Sequence, residues 1–147
     1  MPNRRDFTFI GTTFLTSLAL NYPWELAQLR FYAETGGLSA MWWHCFKSSV
    51  VDAFLVLIIL STGRLLFGEW DWFSRGSARR CLYILIAGTF VGIGVEWVGW
   101  RLLGRWKYDV SMPLIPIFGV GLVPVLQMVV LPPLIFSLKL QREHRNK

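Results

Sequence analysis

The amino-acid sequence predicts an all-α, polytopic membrane protein in which four transmembrane helices form a bundle. Composition is the first indication, because 54% of the 147 residues are hydrophobic and the mean hydropathy is +0.45. Length is the second, because a helix needs roughly 20 residues to cross a hydrocarbon core of about 30 Å. Connections are short and no internal repeat is visible, so 1–147 should be a single domain. The four segments long and apolar enough to span are 7–31, 46–67, 81–103 and 114–138.

The first segment carries a polar stripe along one helix face. Its polar residues recur at intervals of three or four, the spacing that places side chains on the same side of an α-helix. They are Thr13, Ser17, Asn21, Glu25, Gln28 and Tyr32. Because lipid cannot satisfy the hydrogen bonds of such a stripe, we expect it to face the bundle interior or a water-filled cleft.

The second and third segments bring two further acids toward the same interior. Asp52 lies early in the second segment. In the third, one helix face consists of residues that repeat every four positions, namely Gly88, Gly92, Glu96 and Trp100. A Gly-x-x-x-Gly pair lets a neighbouring helix approach closely. We therefore predict that Glu96 points at a partner helix.

The fourth segment is interrupted by prolines and glycines. A proline removes a backbone donor and kinks a helix. Pro124 is expected to free the carbonyl of Val120 near mid-membrane, and Gln127 lies about one turn further on. Because irregular backbone at membrane depth lines cavities, we predict that Gln127 is a polar group that positions a ligand.

The distribution of positive charge predicts the orientation. Ten of the 15 Lys and Arg residues lie in the N-terminus, the second connection and the C-terminal tail. Short loops rich in Lys and Arg stay in the cytoplasm, so both termini are expected there, with the chain in a bacterial inner (plasma) membrane. The net charge of +6 then reflects topology and contact with the lipid bilayer, and it requires no nucleic-acid partner.

Glu25, Asp52 and Glu96 are the candidate catalytic residues. A charge at mid-bilayer costs about 2.5–3.5 kcal/mol on insertion scales, so each acid needs an offsetting reason. Counted from the outer ends of their spans, all three should lie at a depth of about 9–12 Å. An interhelical hydrogen bond is the simplest interpretation of one such acid. Three acids at one depth favour a shared site, in which two carboxyls can act as acid and base.

Aromatic, basic and amide side chains near that depth are the candidate substrate-binding residues. The aromatic belt at headgroup level explains Trp42, Trp43 and Trp106, whereas Trp97 and Trp100 lie deeper and are expected to line a pocket. Aromatic walls around acids suit a hydrophobic substrate with a transient positive charge. The predicted binding set is Asn21, Gln28, His44, Trp97, Trp100, Arg101, Tyr108 and Gln127.

No metal or cofactor is predicted. His44 and Cys45 could contribute metal ligands, but the outer side has a single His and no helix motif with two ligands. His144, in the basic tail, is a poor axial ligand for haem. The expected chemistry is therefore cofactor-independent.

Several stretches of the sequence carry a resemblance to known membrane proteins. They are "NYPWELAQ" (21–28), "WHC" (43–45) ahead of Asp52, "EWVGWRLLGRWKY" (96–108) and "MPLIPIFGVGLVPVLQMVVLPPL" (112–134). With these stretches the chain resembles an uncharacterised family of small bacterial four-span integral membrane proteins. The resemblance implies the fold and brings no activity with it.

A looser resemblance is to membrane enzymes that modify carotenoids and isoprenoids, such as carotenoid hydratases and small lycopene cyclase subunits. It is carried by a span acid ahead of a Gly/aromatic/Tyr segment, here Glu96, Gly104, Trp106 and Tyr108. The chain lacks the extra spans of many such enzymes. The resemblance therefore implies a subunit of a membrane complex or a homo-oligomer.

These observations predict an enzyme that acts on a lipid or isoprenoid-like substrate by acid/base chemistry. Glu96 and Glu25 would be the acid and base in either order, with Asp52 as an orienting partner. One alternative is a proton-coupled small transporter, or a binding subunit, that uses the same carboxylates. Another is a purely structural assembly factor, which would tolerate amide substitution of all three acids.

Topology fusions test the predicted orientation. Green fluorescent protein fused after Lys147 should fluoresce and alkaline phosphatase at the same point should be inactive, because phosphatase disulfides do not form in the cytoplasm. Fusions after Tyr108, in a predicted outer connection, should give the opposite pair of results. An active phosphatase at Lys147 would contradict the orientation.

Overall fold

The computed structural model describes residues 4–33, 38–74 and 76–145. Helices make up 79% of it, which confirms the all-α class. Within these residues the α-helices are α1 Arg4–Gln28, α2 Leu38–Phe67, α3 Ala78–Glu96 and α4 Leu122–Arg145.

In the described part of the chain, three stretches of helix are long and apolar enough to cross a membrane, namely Ala40–Phe67, Ala78–Leu102 and Leu122–Gln141. The predicted third span, 81–103, agrees closely with the second of them. α1 has 25 residues, enough to span by length, but its Thr, Ser and Asn residues make it less apolar than the other three helices. α2 begins before the predicted residue 46 because its first two turns extend beyond the apolar run.

α1 packs along α2 and α4, and α3 packs along α4. We call the end where α1 ends and α4 begins the hairpin end, and the end where α1 begins and α4 ends the tail end. α2 and α3 contact each other little, and the hydrogen bonds from Tyr83 to α2 lie in the tail half. Tyr83 OH lies 2.5 Å from Thr62 Oγ1 and donates to the Ile59 carbonyl at 3.1 Å. The hairpin halves of these two helices instead flank a cavity.

Aromatic side chains fill the tail half of the bundle. Trp72 is fully buried, and its indole N–H donates to the Leu60 carbonyl at 3.0 Å. Its ring lies where a Cβ on Gly63 would overlap it. Phe73 stacks on Phe136, with 4.8 Å between ring centroids. Buried aromatics contribute much of the energy of a core, so this cluster fixes how α2, α3 and α4 converge at the tail end.

α3 and α4 approach closely along the glycine face predicted from the sequence. A Cβ on Gly88 would overlap the backbone carbonyl oxygen of Met128, and a Cβ on Gly92 would lie 3.1 Å from the Cα of Val125. Glu96, on the same face, is only 5% exposed. Glu96 is therefore buried, but its hydrogen-bond partner is Tyr108, in a loop, and not a group of the predicted partner helix.

α3 continues into an irregular turn that the sequence analysis did not predict. Trp97–Leu102 form a π-helix, in which the Leu103 N–H donates to the carbonyl of Val98, five residues back, at 3.0 Å. Gly104 then adopts a φ of +56°, a left-handed conformation that glycine reaches without a Cβ clash. Single π turns are frequent at functional sites, and this one begins directly after Glu96.

The last candidate span begins later than predicted. Leu114–Ile115 (β1) and Val120–Gly121 (β2) form an antiparallel hairpin, closed by Gly119 at a φ of +64°. Prolines in and just before the hairpin cannot donate helical hydrogen bonds. α4 therefore begins only at Leu122, and the predicted start at residue 114 is wrong.

The predicted kink at Pro124 is also wrong. Pro124 occupies the first turn of α4, where a backbone N–H has no helical partner to lose. The prolines inside the helix are Pro132 and Pro133. As a result Gln127 lies near the start of α4, at the hairpin end, and not at mid-membrane.

Replacing Gly88 by alanine tests the close contact of α3 with α4. The new Cβ would meet a backbone oxygen, which cannot move without separating the helices, so Gly88→Ala should lower the free energy of unfolding by about 1–3 kcal/mol. Gly11→Ala is the matched control, since nothing lies within 4 Å of its Cβ position. It should leave stability unchanged or raise it by about 0.5–1 kcal/mol. Unfolding in mild detergent measures both variants, and equal stability of the two would contradict the packing described.

Candidate active site

The polar stripe of α1 faces the bundle interior, as predicted. Thr13, Ser17 and Asn21 are fully buried. Thr13 Oγ1 donates to the Phe9 carbonyl and Ser17 Oγ to the Thr13 carbonyl, each at 2.8 Å. Bonds of this kind to the preceding turn satisfy a hydroxyl within its own helix. At the hairpin end the longer side chains of the stripe reach other helices.

Gln127 joins three helices at the hairpin end. Its Nε2 donates to Asn21 Oδ1 of α1 at 2.8 Å and to Asp52 Oδ2 of α2 at 2.9 Å. Its Oε1 accepts from Gln28 Nε2 at 3.3 Å. Gln127 is 2% exposed. Each polar atom of this one amide is therefore paired with a group from another helix.

Glu25 and Asp52 form a carboxyl pair between α1 and α2. Their side chains lie within hydrogen-bonding distance of each other. Glu25 Oε1 also accepts from Gln28 Nε2 at 2.6 Å. An ionised carboxylate has no donor, so two carboxyls hydrogen-bond to each other only when one carries a proton. The geometry therefore suits a single proton shared by two acids.

The side-chain carbonyl of Gln28 has no donor within the part of the chain that the structure describes. The residue is 3% exposed, and its amide nitrogen is already committed to Glu25 and Gln127. A buried acceptor left unpaired costs about 1–3 kcal/mol. A ligand hydroxyl or N–H that reached this oxygen would recover that energy.

Glu96 forms a second acidic centre. Tyr108 OH donates to Glu96 Oε2 at 2.5 Å, and the Gly121 N–H donates to the Tyr108 oxygen at 3.0 Å. Burial and the hydrogen bond to Glu96 raise the pKa of Tyr108 above its ordinary value, so its hydroxyl keeps its proton and remains a donor. Glu96 thus receives a hydrogen bond without needing a proton of its own.

The loop after the π turn holds Tyr108 in place. The ring of Trp106 lies where a Cβ on Gly99 would overlap it, so glycine is required for the loop to fold back. Tyr108 forms an antiparallel bridge with Tyr32, just after α1. Its ring also stacks on Trp100, with 5.0 Å between centroids. Contacts with the segment that follows α1 and with the π turn therefore position the hydroxyl that holds Glu96.

The acids and amides border one cavity of about 860 Å³ between the hairpin halves of α2 and α3. This volume is in the range of small-molecule binding sites. Its polar lining consists of Glu25, Gln28, Asp52, Glu96 and Gln127. Its apolar walls include Val51, Leu55, Val95, Val98 and Leu103. All three acids from the sequence analysis therefore border the same space.

Five of the predicted binding residues do not line this cavity, namely Asn21, Trp97, Trp100, Arg101 and Tyr108. Asn21 and Tyr108 lie behind it, where they hold Gln127 and Glu96. Trp97 is 45% exposed. Arg101 stacks over Trp100, with 4.8 Å from its guanidinium carbon to the ring centroid. For Trp97, Trp100 and Arg101 the π turn explains the difference, because it changes which side of the helix these three residues occupy.

Other lining residues were missed as site residues or assigned another role. Trp43 and Trp106, predicted as members of the aromatic belt, border the cavity together with Lys47 and Arg105. Lys47 could not have been found from helical spacing, because five residues before Asp52 is about 140° around α2. Trp106 could not have been found either, since it returns to the cavity through a turn that has no clear sequence signal.

Within the described residues, no group of three His, Cys, Asp or Glu side chains is arranged to hold a metal ion. His44 lines the cavity, whereas Cys45 is buried in the helix packing. The groups that the cavity offers to a ligand are carboxyls, amides and cations. Their common chemistry is proton transfer and hydrogen bonding.

A scan against protein-family models finds no match, and searches of curated proteins and of solved structures find none either. The resemblances noted in the sequence therefore stay predictions.

Replacing Gln127 by leucine tests its role as the junction of the bundle. Gln127→Leu leaves the Asn21 and Asp52 oxygens and the Gln28 amide without their partner, so we expect a loss of roughly 1–3 kcal/mol in the free energy of unfolding. Gln141→Leu, an exposed position of the same helix, should change stability by less than about 0.5 kcal/mol. Detergent unfolding again gives the comparison. If the two variants were equally stable, Gln127 would not be holding the helices together.

Proposed function

We propose that this protein is a membrane-embedded enzyme that modifies a lipid or isoprenoid-like substrate by acid/base chemistry, without a cofactor. The observation that carries the proposal is one cavity bordered by Glu25, Asp52 and Glu96, which lie on three different helices. Acids inside a membrane protein are costly. A role in binding or catalysis at a cavity of ligand size would explain why the three acids are present despite this cost.

The hydrogen bonds support different roles for the two acidic centres. The Glu25 and Asp52 carboxyls lie side by side, and two carboxyls that bond to each other share a proton, which makes this pair the proposed proton donor. Glu96 is held by a tyrosine donor and is the proposed acceptor. A donor and an acceptor on one cavity suit reactions such as double-bond migration or addition of water, in which protons move and no electrons are exchanged.

The proposed substrate enters sideways from the lipid. The hairpin halves of α2 and α3 are separated by the cavity, and its walls there are apolar. An apolar chain could pass between the two helices without leaving the bilayer. The unpaired carbonyl of Gln28 would then accept a hydrogen bond from a hydroxyl or N–H of the substrate.

The proposal includes α1 as the fourth span, with both termini in the cytoplasm of a bacterium and the chain in its inner membrane. At 1.5 Å per residue the 25 residues of α1 measure roughly 37 Å, more than the hydrocarbon thickness. Its packing along α2 and α4 supports the assignment. The cavity would then open near the outer leaflet. The weak resemblance to carotenoid- and isoprenoid-modifying enzymes agrees with such a substrate, and a homo-oligomer or a partner subunit is compatible with it.

A proton-coupled small transporter is the second candidate, and the adjacent Glu25 and Asp52 carboxyls favour it, because acids inside membrane helices form the proton relays of pumps and transporters. The aromatic packing around Trp72 and Phe136 speaks against it, since it fills the tail half and leaves the cavity on one side. Proton flux into proteoliposomes, lost in Glu25→Gln, would favour transport over catalysis.

Amide substitution of Glu96 tests the enzyme proposal. Glu96→Gln keeps the size and the hydrogen-bond acceptor but removes the base, so formation of the product should fall by about 100-fold or more. The measurement is a comparison of total lipid extracts by mass spectrometry between cells that make the wild-type protein and cells that make the variant.

The matched control is Glu69→Gln, in the connection between α2 and α3 at the tail end, which should give the wild-type lipid profile. Both variants should insert and unfold like the wild type in detergent. Identical lipid profiles for wild type and Glu96→Gln in several host strains would count decisively against the proposal that the protein is a lipid-modifying enzyme.

A further inference from the structure

The rim of the cavity is basic, although its floor is acidic. Lys47 and His44, on α2, and Arg105, in the loop after the π turn, all line it. Each of the three is exposed, whereas the acids lie deeper. The cations come from both sides of the opening, so they face the same space from α2 and from the end of α3.

The distance between rim and floor can be read along α2. Lys47 precedes Asp52 by five residues and His44 precedes it by eight, which correspond to about 7.5 and 12 Å along the helix axis. The headgroup region of a bilayer is about 5–8 Å thick on each side. With the acids about 9–12 Å below the outer face, as predicted from the sequence, the rim therefore lies within a few ångströms of that face, next to the lipid phosphates.

We propose that the cavity binds a lipid with a phosphate-bearing headgroup. Lys47 and Arg105 contact the phosphate, His44 adds an N–H donor, and the chain lies between α2 and α3. This inference deepens the proposed function, because it names the substrate class of the same site. It also specifies that the reacting group of the substrate lies about 8–12 Å from the phosphate.

Charge complementarity selects the phosphate. Two fixed cations at the rim attract an anion, and the carboxyls on the floor would repel one, so an anionic amphiphile can enter in a single orientation. A neutral lipid gains nothing from the rim. A lipid with a cationic headgroup would be repelled by it.

An independent observation indicates that the cavity is built for a ligand. Gln28, 3% exposed on the cavity wall, presents a carbonyl oxygen that no described residue satisfies. That oxygen lies on the floor, among the carboxyls. A ligand that binds the cations at the rim and extends to the floor would also contact the carbonyl oxygen of Gln28.

Binding to the purified full-length protein in detergent tests the inference. The probes are dioctanoyl phosphatidic acid against dioctanoylglycerol, farnesyl phosphate against farnesol, and inorganic phosphate alone. At least one phosphate-bearing lipid should bind about tenfold or more tightly than its neutral counterpart, because each cation near a lipid phosphate favours binding by a few-fold or more. That preference should weaken as salt is raised. Native mass spectrometry reports binding, and so does the total tryptophan fluorescence, to which Trp43 and Trp106 at the cavity contribute.

The double variant Lys47→Gln/Arg105→Gln should remove the preference for phosphate while the neutral lipids still bind. The matched control, Arg101→Gln/Lys107→Gln, removes the same charge from the same end of the bundle but outside the cavity, and it should keep the preference. Equal binding of every phosphate-bearing lipid and its neutral counterpart would overturn the inference. So would inorganic phosphate binding as tightly as the lipids, since the site would then be one for free phosphate.

These outcomes are separable from those for the proposed function. Phosphate-selective binding together with an unchanged lipid profile in Glu96→Gln would retain the lipid site and reject the enzyme. A changed profile without phosphate selectivity would retain the enzyme and reject this substrate class.

Discussion

The amide of Gln127 is the interaction on which the hairpin half of the bundle depends. Polar groups at membrane depth have no water to bond to, so each must find its partner on another helix or in its own. Gln127 provides partners to α1 through Asn21 and Gln28 and to α2 through Asp52. Gln127 thus joins α1, α2 and α4, and α3 is held against α4 separately by the glycine face.

The two halves of the bundle are stabilised in different ways, and the difference creates the cavity. In the tail half, Trp72, Phe73 and Phe136 interlock, and packing of this kind leaves no room for a ligand. In the hairpin half, amide and carboxyl hydrogen bonds hold α1, α2 and α4 together while α2 and α3 stay apart. Close packing at one end thus permits an open, polar interior at the other.

Much of the fold and part of the site were predictable from the sequence. The polar stripe of α1 and the glycine face of α3 follow helical spacing. Such patterns predict the structure well because an α-helix keeps a constant number of residues per turn. The hairpin and the π turn do not follow from periodicity. Hydropathy alone extends the fourth span back to residue 114, because the hairpin is as apolar as a helix. Trp106 and Tyr108 reach the cavity and Glu96 only through tertiary contacts with Gly99 and Tyr32, which no local pattern encodes.

The gap between α2 and α3 also bears on how the concentration of a ligand should be expressed. In the proposed arrangement, a molecule that reached the cavity through this gap would be dissolved in the bilayer, so the relevant quantity would be its mole fraction among the lipids and not its molarity in water. Diluting a cell extract would leave that fraction unchanged, whereas adding inert lipid would lower it. Occupancy of the cavity would therefore follow the composition of the membrane.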